Sequence, residues 1–167
     1  MRFLIAFFLF FGSPLWPMGP AAAGDPLIIV NKRTNELAWI KDGQVAMTAR
    51  AATGKTKEFT PEGVFTVTVK AKQPYYRKKN IPGGDVRNPL GSRWIGFDAR
   101  NTDGRTYGIH GTNEPESIGS YISLGCIRLP NEIVNLLYEE VSIGTKVFIV
   151  DSEKSFLELA REQGAIE

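Results

Sequence analysis

The chain has 167 residues, of which 43% are hydrophobic and 23% charged, with a formal net charge of +2 at neutral pH. That balance gives no electrostatic footing for a nucleic-acid-binding protein or for strong adsorption to a membrane surface. A single cysteine excludes an internal disulfide, and one cysteine with one histidine falls short of the usual ligand set of a structural zinc site, so neither a metal nor a cofactor is expected.

Met1-Arg2 is a short positive start, and Phe3 to Phe11 is an unbroken apolar run of nine residues. Prolines at 14, 17 and 20 follow, and the stretch ends in Ala21-Ala22-Ala23. This is the pattern of a secretory signal peptide over residues 1–23, with small residues at the cleavage site. The run is shorter than the ~18 uninterrupted apolar residues of a membrane-spanning helix. A retained N-terminal anchor is the alternative, and only then is a membrane partner expected. No cysteine lies near the site, which excludes lipoprotein processing. Residues 24–167 then form one domain, long enough to bury a core without staples.

Short strands separated by turn residues follow. Pro26 to Val30 and Glu36 to Ile40 read as strands, and Lys41-Asp42-Gly43 carries the Asp-Gly signal of a hairpin whose return strand is Gln44 to Ala51. In Val64 to Lys70 the residues Phe65, Val67 and Val69 share one face, the alternation of a half-buried strand. Residues 71–92, with Pro74, Pro82-Gly83-Gly84 and Asn88-Pro89, read as a long irregular loop of the kind that is often functional. Arg93 to Phe97 resumes a strand, and Thr106 to Ile109 is a strand ending at His110. A second loop, from Gly111 to about Ile122, leads into Ser123-Leu-Gly-Cys-Ile-Arg-Leu129. Pro130 opens a helix whose Ile133, Leu136, Leu137 and Val141 recur at helical spacing. Thr145 to Val150 is the last strand, and Ser152 to Gln163 is an amphipathic helix closed by Gly164. The class is mostly β, a sandwich-like or barrel-like body with one or two helices.

The chemistry concentrates at His110 and Cys126. A thiol becomes a good nucleophile beside a base or near positive charge. Here a histidine stands at a strand end, and sixteen positions later a cysteine sits between Gly125 and an arginine two residues on, Arg128. The intervening loop is long enough to bring the two side chains together. The amides of Gly125 and Cys126 are candidate oxyanion donors, each worth on the order of 3 kcal/mol in comparable sites. An unshifted histidine would make the rate rise over roughly pH 6 to 7. Against this stand plainer readings: a lone cysteine as a small buried hydrophobe, and a lone histidine as a structural residue.

Tyr107-Gly-Ile-His-Gly-Thr-Asn113 together with Ser123-Leu-Gly-Cys-Ile-Arg-Leu129 resembles the signature of the L,D-transpeptidase catalytic domain, or YkuD domain. Thr60-Pro-Glu-Gly-Val-Phe65, Ile81-Pro-Gly-Gly84, Asn88-Pro-Leu-Gly91 and Arg93-Trp-Ile-Gly96 extend the resemblance over residues 26–151. It implies a β-sandwich-like fold and acyl transfer on bacterial peptidoglycan stem peptides, by an exported enzyme of cell wall biogenesis. Cys126 would attack the carbonyl between the third stem residue and the fourth, D-alanine, with His110 as base and then acid. The thioacyl enzyme would pass to a neighbouring stem amine, giving a 3-3 cross-link, or to water, making the protein a carboxypeptidase or endopeptidase. Gly111 and Ser123 match positions that support the histidine and shape the site, and Arg128 one that helps position cysteine or substrate. Tyr75, Tyr76 and Trp94 are candidates to line a groove, with core packing the alternative for Trp94. Leu124 stands where the family often carries His or Lys, and no acidic side chain is evident to orient His110. A non-catalytic wall-binding module with the same fold is the reading from a different class. A serine hydrolase is weaker, since Ser120 and Ser123 lack a Gly-x-Ser-x-Gly elbow.

Overall fold

The computed structural model describes residues 21–167; the apolar run assigned above to a signal peptide lies outside the described residues. The described residues form ten strands and two α-helices. The strands are β1 (Leu27–Asn31), β2 (Glu36–Lys41), β3 (Gln44–Arg50), β4 (Thr53–Gly54), β5 (Gly63–Lys72), β6 (Arg93–Phe97), β7 (Tyr107–His110), β8 (Tyr121–Ser123), β9 (Ile127–Arg128) and β10 (Lys146–Val150). The helices are α1 (Asn131–Glu140) and α2 (Phe156–Glu162). Eight strands make one sheet in the order β3-β2-β1-β10-β5-β6-β7-β9, and β4 pairs with β8 beside it. The sheet is antiparallel except at β1/β10 and β7/β9.

The mostly-β expectation holds, and the body is one long curled sheet with two helices. Strand β1 explains why. All five of its residues are buried, because both faces of the sheet are covered there. Ile28 and Val30 join Leu37, Trp39, Val147 and Ile149 in the main core, which also receives Val134, Leu137 and Val141 from α1 and its end. Leu27 and Ile29 face the other way, into a smaller core with Ala38, Ile40, Leu159, Ala160 and the C-terminal Ala165 and Ile166. A strand covered on both sides reads as a continuous apolar run, not as an alternation. The hairpin forms where Asp42-Gly43 marks it, with φ of 52° and 71°, the paired positive values of a type I′ turn.

Two local expectations need correction, and one pairing is new. Leu136 is 62% exposed, and Val134 takes the inward position in its place: α1 presents Val134, Leu137 and Val141 to the sheet. The second helix begins at Phe156, because Ser155 caps it with a reciprocal Ser155–Glu158 capping box. The pairing of β4 with β8 was not foreseen; each is too short to show a period.

The long loop before β6 is ordered around Asn88, which is buried. Its amide donates to the carbonyls of Pro74 (2.8 Å) and Pro82 (3.1 Å), and its carbonyl accepts from Leu90 N–H (2.9 Å). One side chain thus gathers three points of the loop and lays its end against the C-terminus of β7.

Candidate active site

Strands β7 and β9 lie side by side and parallel, with Ile109 opposite Ile127 and His110 opposite Arg128. Ile109 and Ile127 are fully buried in the main core. Alternation therefore turns Gly108 and His110, and across from them Cys126 and Arg128, to the opposite face. The sequence separation between the histidine and the cysteine is closed by strand pairing: Cys126 falls across from Gly108, two positions along the strand from His110 and on the same face.

His110 is buried at 4% exposure, and its ring is fixed from two sides. Nδ1 lies 2.6 Å from the carbonyl oxygen of Gly111. A carbonyl can only accept, so Nδ1 carries the proton and the neutral ring keeps its lone pair on Nε2. The indole of Trp94, opposite His110 across β6/β7, stacks on the imidazole with centroids 5.5 Å apart and planes 15° from parallel. Trp94 is itself anchored by Nε1–H donating to Gly104 O at 2.8 Å. It lies flat because Gly96 and Gly108 leave it room: a Cβ on either would come within 2.6 Å of indole atoms. Groove lining and core packing were offered as alternatives for Trp94; the residue is buried and braces the histidine.

Gly111 carries the carbonyl that fixes the ring, and Asn131, the first residue of α1, holds this segment. Its Oδ1 accepts from Thr112 N–H (3.2 Å) and Ser92 N–H (3.1 Å), and its Nδ2 donates to Thr112 O (2.8 Å). A Cβ on Gly111 would collide with Asn131 Oδ1. Sequence reasoning passed over Asn131; its place just after the cysteine motif, at a helix start, was the available signal.

Desolvation sets the protonation states. Burial lowers the His110 pKa from 6.5 to about 4, aided by the positive field of Arg128, and opposed by the Gly111 and Leu90 carbonyls, which favour the protonated ring. Burial pushes the Cys126 thiol above its ordinary 9.0, while the Gly108 amide, Lys78 and Arg128 pull it back. Both groups are therefore neutral at pH 7, with Sγ–H donating to Thr106 O at 3.5 Å. A pKa near 6.5 for the histidine, expected from sequence, is corrected by its burial.

The loop before the cysteine is tied by Ser123. Its Oγ accepts from Gly125 N–H (3.0 Å) and donates to Cys126 O (2.6 Å). This corrects one expectation: the Gly125 amide is engaged by Ser123 and is not free for an oxyanion, and the hydrogen bonds of Ser123 shape the cysteine loop. The Cys126 N–H has no such partner among the described residues. Gly125 has φ +129°, and a Cβ there would run into the Phe59 carbonyl, so only glycine fits. Arg128, opposite His110, pairs with Glu114 (2.9 Å, side chain 18% exposed) and reaches Ser117 Oγ (3.4 Å), so its charge is held beside both groups and partly neutralised. Leu124 is 70% exposed beside the cysteine, where a polar residue would have met solvent. Tyr75 is half-exposed with its hydroxyl on Asn80, and Tyr76 bridges to Ile81 within the loop.

Two kinds of comparison bear on this arrangement. The catalytic domain of the Enterococcus faecium L,D-transpeptidase, solved by NMR, superposes with a TM-score of 0.58 at 27% identity, over 78% of this chain and 100% of that one. The avibactam carbamoyl form of Ldtfm superposes with a TM-score of 0.59 at 27% identity, over 77% of this chain but only 50% of that longer one. The curled sheet, with its histidine at the end of β7 and its cysteine just before β9, is thus the frame of a transpeptidase enzyme. In sequence, residues 25–149 match the model of the L,D-transpeptidase catalytic domain, YkuD. A Bacillus subtilis (strain 168) protein, by name an L,D-transpeptidase and called YqjB, is 56% identical over 99% of this chain and 95% of its own length. The chain belongs to the L,D-transpeptidase catalytic domain family.

Proposed function

We propose that this protein is an exported L,D-transpeptidase that cross-links bacterial peptidoglycan through a thioacyl intermediate on Cys126. The observation that carries this reading is the fixed histidine: Nδ1 is tied to the Gly111 carbonyl at 2.6 Å, which leaves Nε2 as the base on the face shared with Cys126. From a neutral thiol and a neutral imidazole, the thiol proton passes to Nε2 as Sγ attacks the carbonyl between the third stem residue and D-alanine. The carbonyl oxygen becomes an oxyanion facing the Cys126 N–H. Collapse breaks the amide C–N bond, and the imidazolium returns its proton to the departing D-alanine amine. The reverse sequence transfers the acyl group: a stem amine attacks the thioester, His110 takes its proton, and the thiol is restored.

The low histidine pKa makes the first proton transfer uphill, from a thiol whose own pKa is raised, and favours the second. The imidazolium formed in the first step is a strong acid in a dry pocket, so it gives its proton readily to the leaving group. The carbamoyl adduct of Ldtfm is consistent with covalent acyl chemistry on this fold. Substrate, cross-link type and export rest on family membership and on the signal-like residues 1–23. The test is product analysis by mass spectrometry after incubation with a disaccharide-tetrapeptide. A D-alanine-releasing dimer is expected, absent from a Cys126→Ala preparation. Free tripeptide without dimer would sink the transferase claim in favour of hydrolysis, and unchanged substrate would sink the enzyme claim.

A further inference from the structure

A buried hydroxyl outside the histidine–cysteine pair controls the backbone at the nucleophile. Thr60 lies in the loop between β4 and β5, far from Cys126 in sequence, and is fully buried. Its Oγ1 accepts from Gly54 N–H at 2.9 Å and donates to Gly125 O at 3.0 Å. The hydroxyl thus both donates and accepts in a dry setting, where a lost partner is expensive. The contact is close on every side: a Cβ on Gly54 would come within 2.7 Å of Phe59 Cβ and 3.0 Å of Thr60 Oγ1. The loop that presents Thr60 is pinned in turn by Lys32, also buried, whose ammonium donates to Lys57 O (2.7 Å) and Thr60 O (3.0 Å) and pairs with Glu62 (2.9 Å).

The Gly125 carbonyl and the Cys126 N–H belong to one peptide plane, and in a trans peptide they point in opposite directions. A carbonyl locked onto Thr60 therefore aims the Cys126 N–H away from the buried loop. Ser123 fixes the planes on either side, taking the Gly125 N–H and the Cys126 carbonyl. Of the two amides, only that of Cys126 remains for a developing oxyanion.

We propose that Thr60 is a positioning residue for acylation: its hydroxyl sets the tilt of the Gly125–Cys126 peptide and so the aim of the single oxyanion-binding amide. The proposal rests on the thioacyl reading above. It assigns a chemical task to the first residue of the Thr60-Pro-Glu-Gly stretch, which strand and turn signals alone would leave as a loop residue.

The experiment compares two reactions of the same thiol in the purified protein and its variants. Acylation by imipenem develops an oxyanion; alkylation by iodoacetamide does not. Thr60→Val, which keeps shape and removes the hydroxyl, is expected to slow imipenem acylation at least about tenfold, since loss of an oxyanion donor costs about 100-fold or more. Its alkylation rate is expected to stay within about twofold of the parent, and Thr60→Ser to restore acylation. Thermal unfolding shows whether each variant is folded, and Thr60→Ala is read the same way if the valine variant is not. Equal losses in both reactions, or no loss in either, overturn the positioning role. Failure of imipenem to label the parent at Cys126 overturns the thioacyl reading itself, before any variant is compared.

Discussion

Burying His110 as a neutral ring has a thermodynamic signature that can be measured without substrate. In the unfolded chain the imidazole titrates near its ordinary 6.5; in the fold, burial lowers it to about 4. Between those values the unfolded state binds a proton that the folded state refuses, so the protein loses stability as pH falls from 6.5 toward 4, and keeps it above 6.5. At about 1.4 kcal/mol per pKa unit, the whole gap approaches 3 kcal/mol near pH 4, and about 2 kcal/mol of it is lost between pH 7 and pH 5. The assay is urea unfolding at pH 7, 6 and 5, followed by tryptophan fluorescence, for the parent and for His110→Gln. The glutamine variant cannot titrate, and carboxylates such as Asp85 and Asp151, whose pKa values are lowered by arginine partners, are common to both proteins and cancel in the difference. The expected outcome is a parent curve that falls by about 2 kcal/mol relative to the variant between pH 7 and pH 5. Parallel curves would refute the dry-pocket account of the histidine. The same titration places the acid limb of kcat/KM near pH 4, well below the range an exposed histidine would give.

Two further substitutions probe what surrounds the ring. Gly108→Ala would place a methyl group 2.6 Å from the Trp94 indole, so displacing Trp94 should lower stability by about 1–3 kcal/mol and weaken activity; an unchanged melting temperature would show that the indole is not confined there. Asn88→Ala frees two carbonyls and one amide of the loop before β6, a loss of about 2–3 kcal/mol at roughly 1 kcal/mol per bond. Hydrogen exchange confined to residues 73–91 should rise; uniform exchange across the chain would refute the local latch.

Much of this was visible beforehand, and the pattern of what was not is physical. Asp42-Gly43 announced its turn because the conformation demands positive φ at both residues. The pairing of His110 with Cys126 was legible as a motif, since both lie at strand ends with glycine neighbours. What stayed hidden depends on three-dimensional geometry, even between residues close in sequence. The Gly125 amide looked free until Ser123 was seen to occupy it, a contact two residues away that depends on the turn geometry. Trp94 could pack or line a groove until the two glycines beneath it fixed its plane. The histidine pKa could not be read at all, because burial is a property of the assembled fold and not of the residue.

Among the described residues, strand β10 is the last in chain order and the fourth of eight in the sheet. On one side it holds β1, β2 and β3, on the other β5, β6, β7 and β9, so two half-sheets meet only across residues 146–150. Until that segment is synthesised, β1 and β5 are both open edges carrying apolar side chains, the kind of surface that seeks any strand at hand. Closure must then join Leu27 to Lys146, a contact no local nucleus can supply, which makes the final step slow relative to hairpin formation. The thiol and its histidine belong to one half and most of the smaller core to the other. Completing the site is therefore tied to a strand made after all of its residues: a nascent chain lacking residues 146–150 holds the thiol and histidine on a half-sheet whose β5 edge is still open.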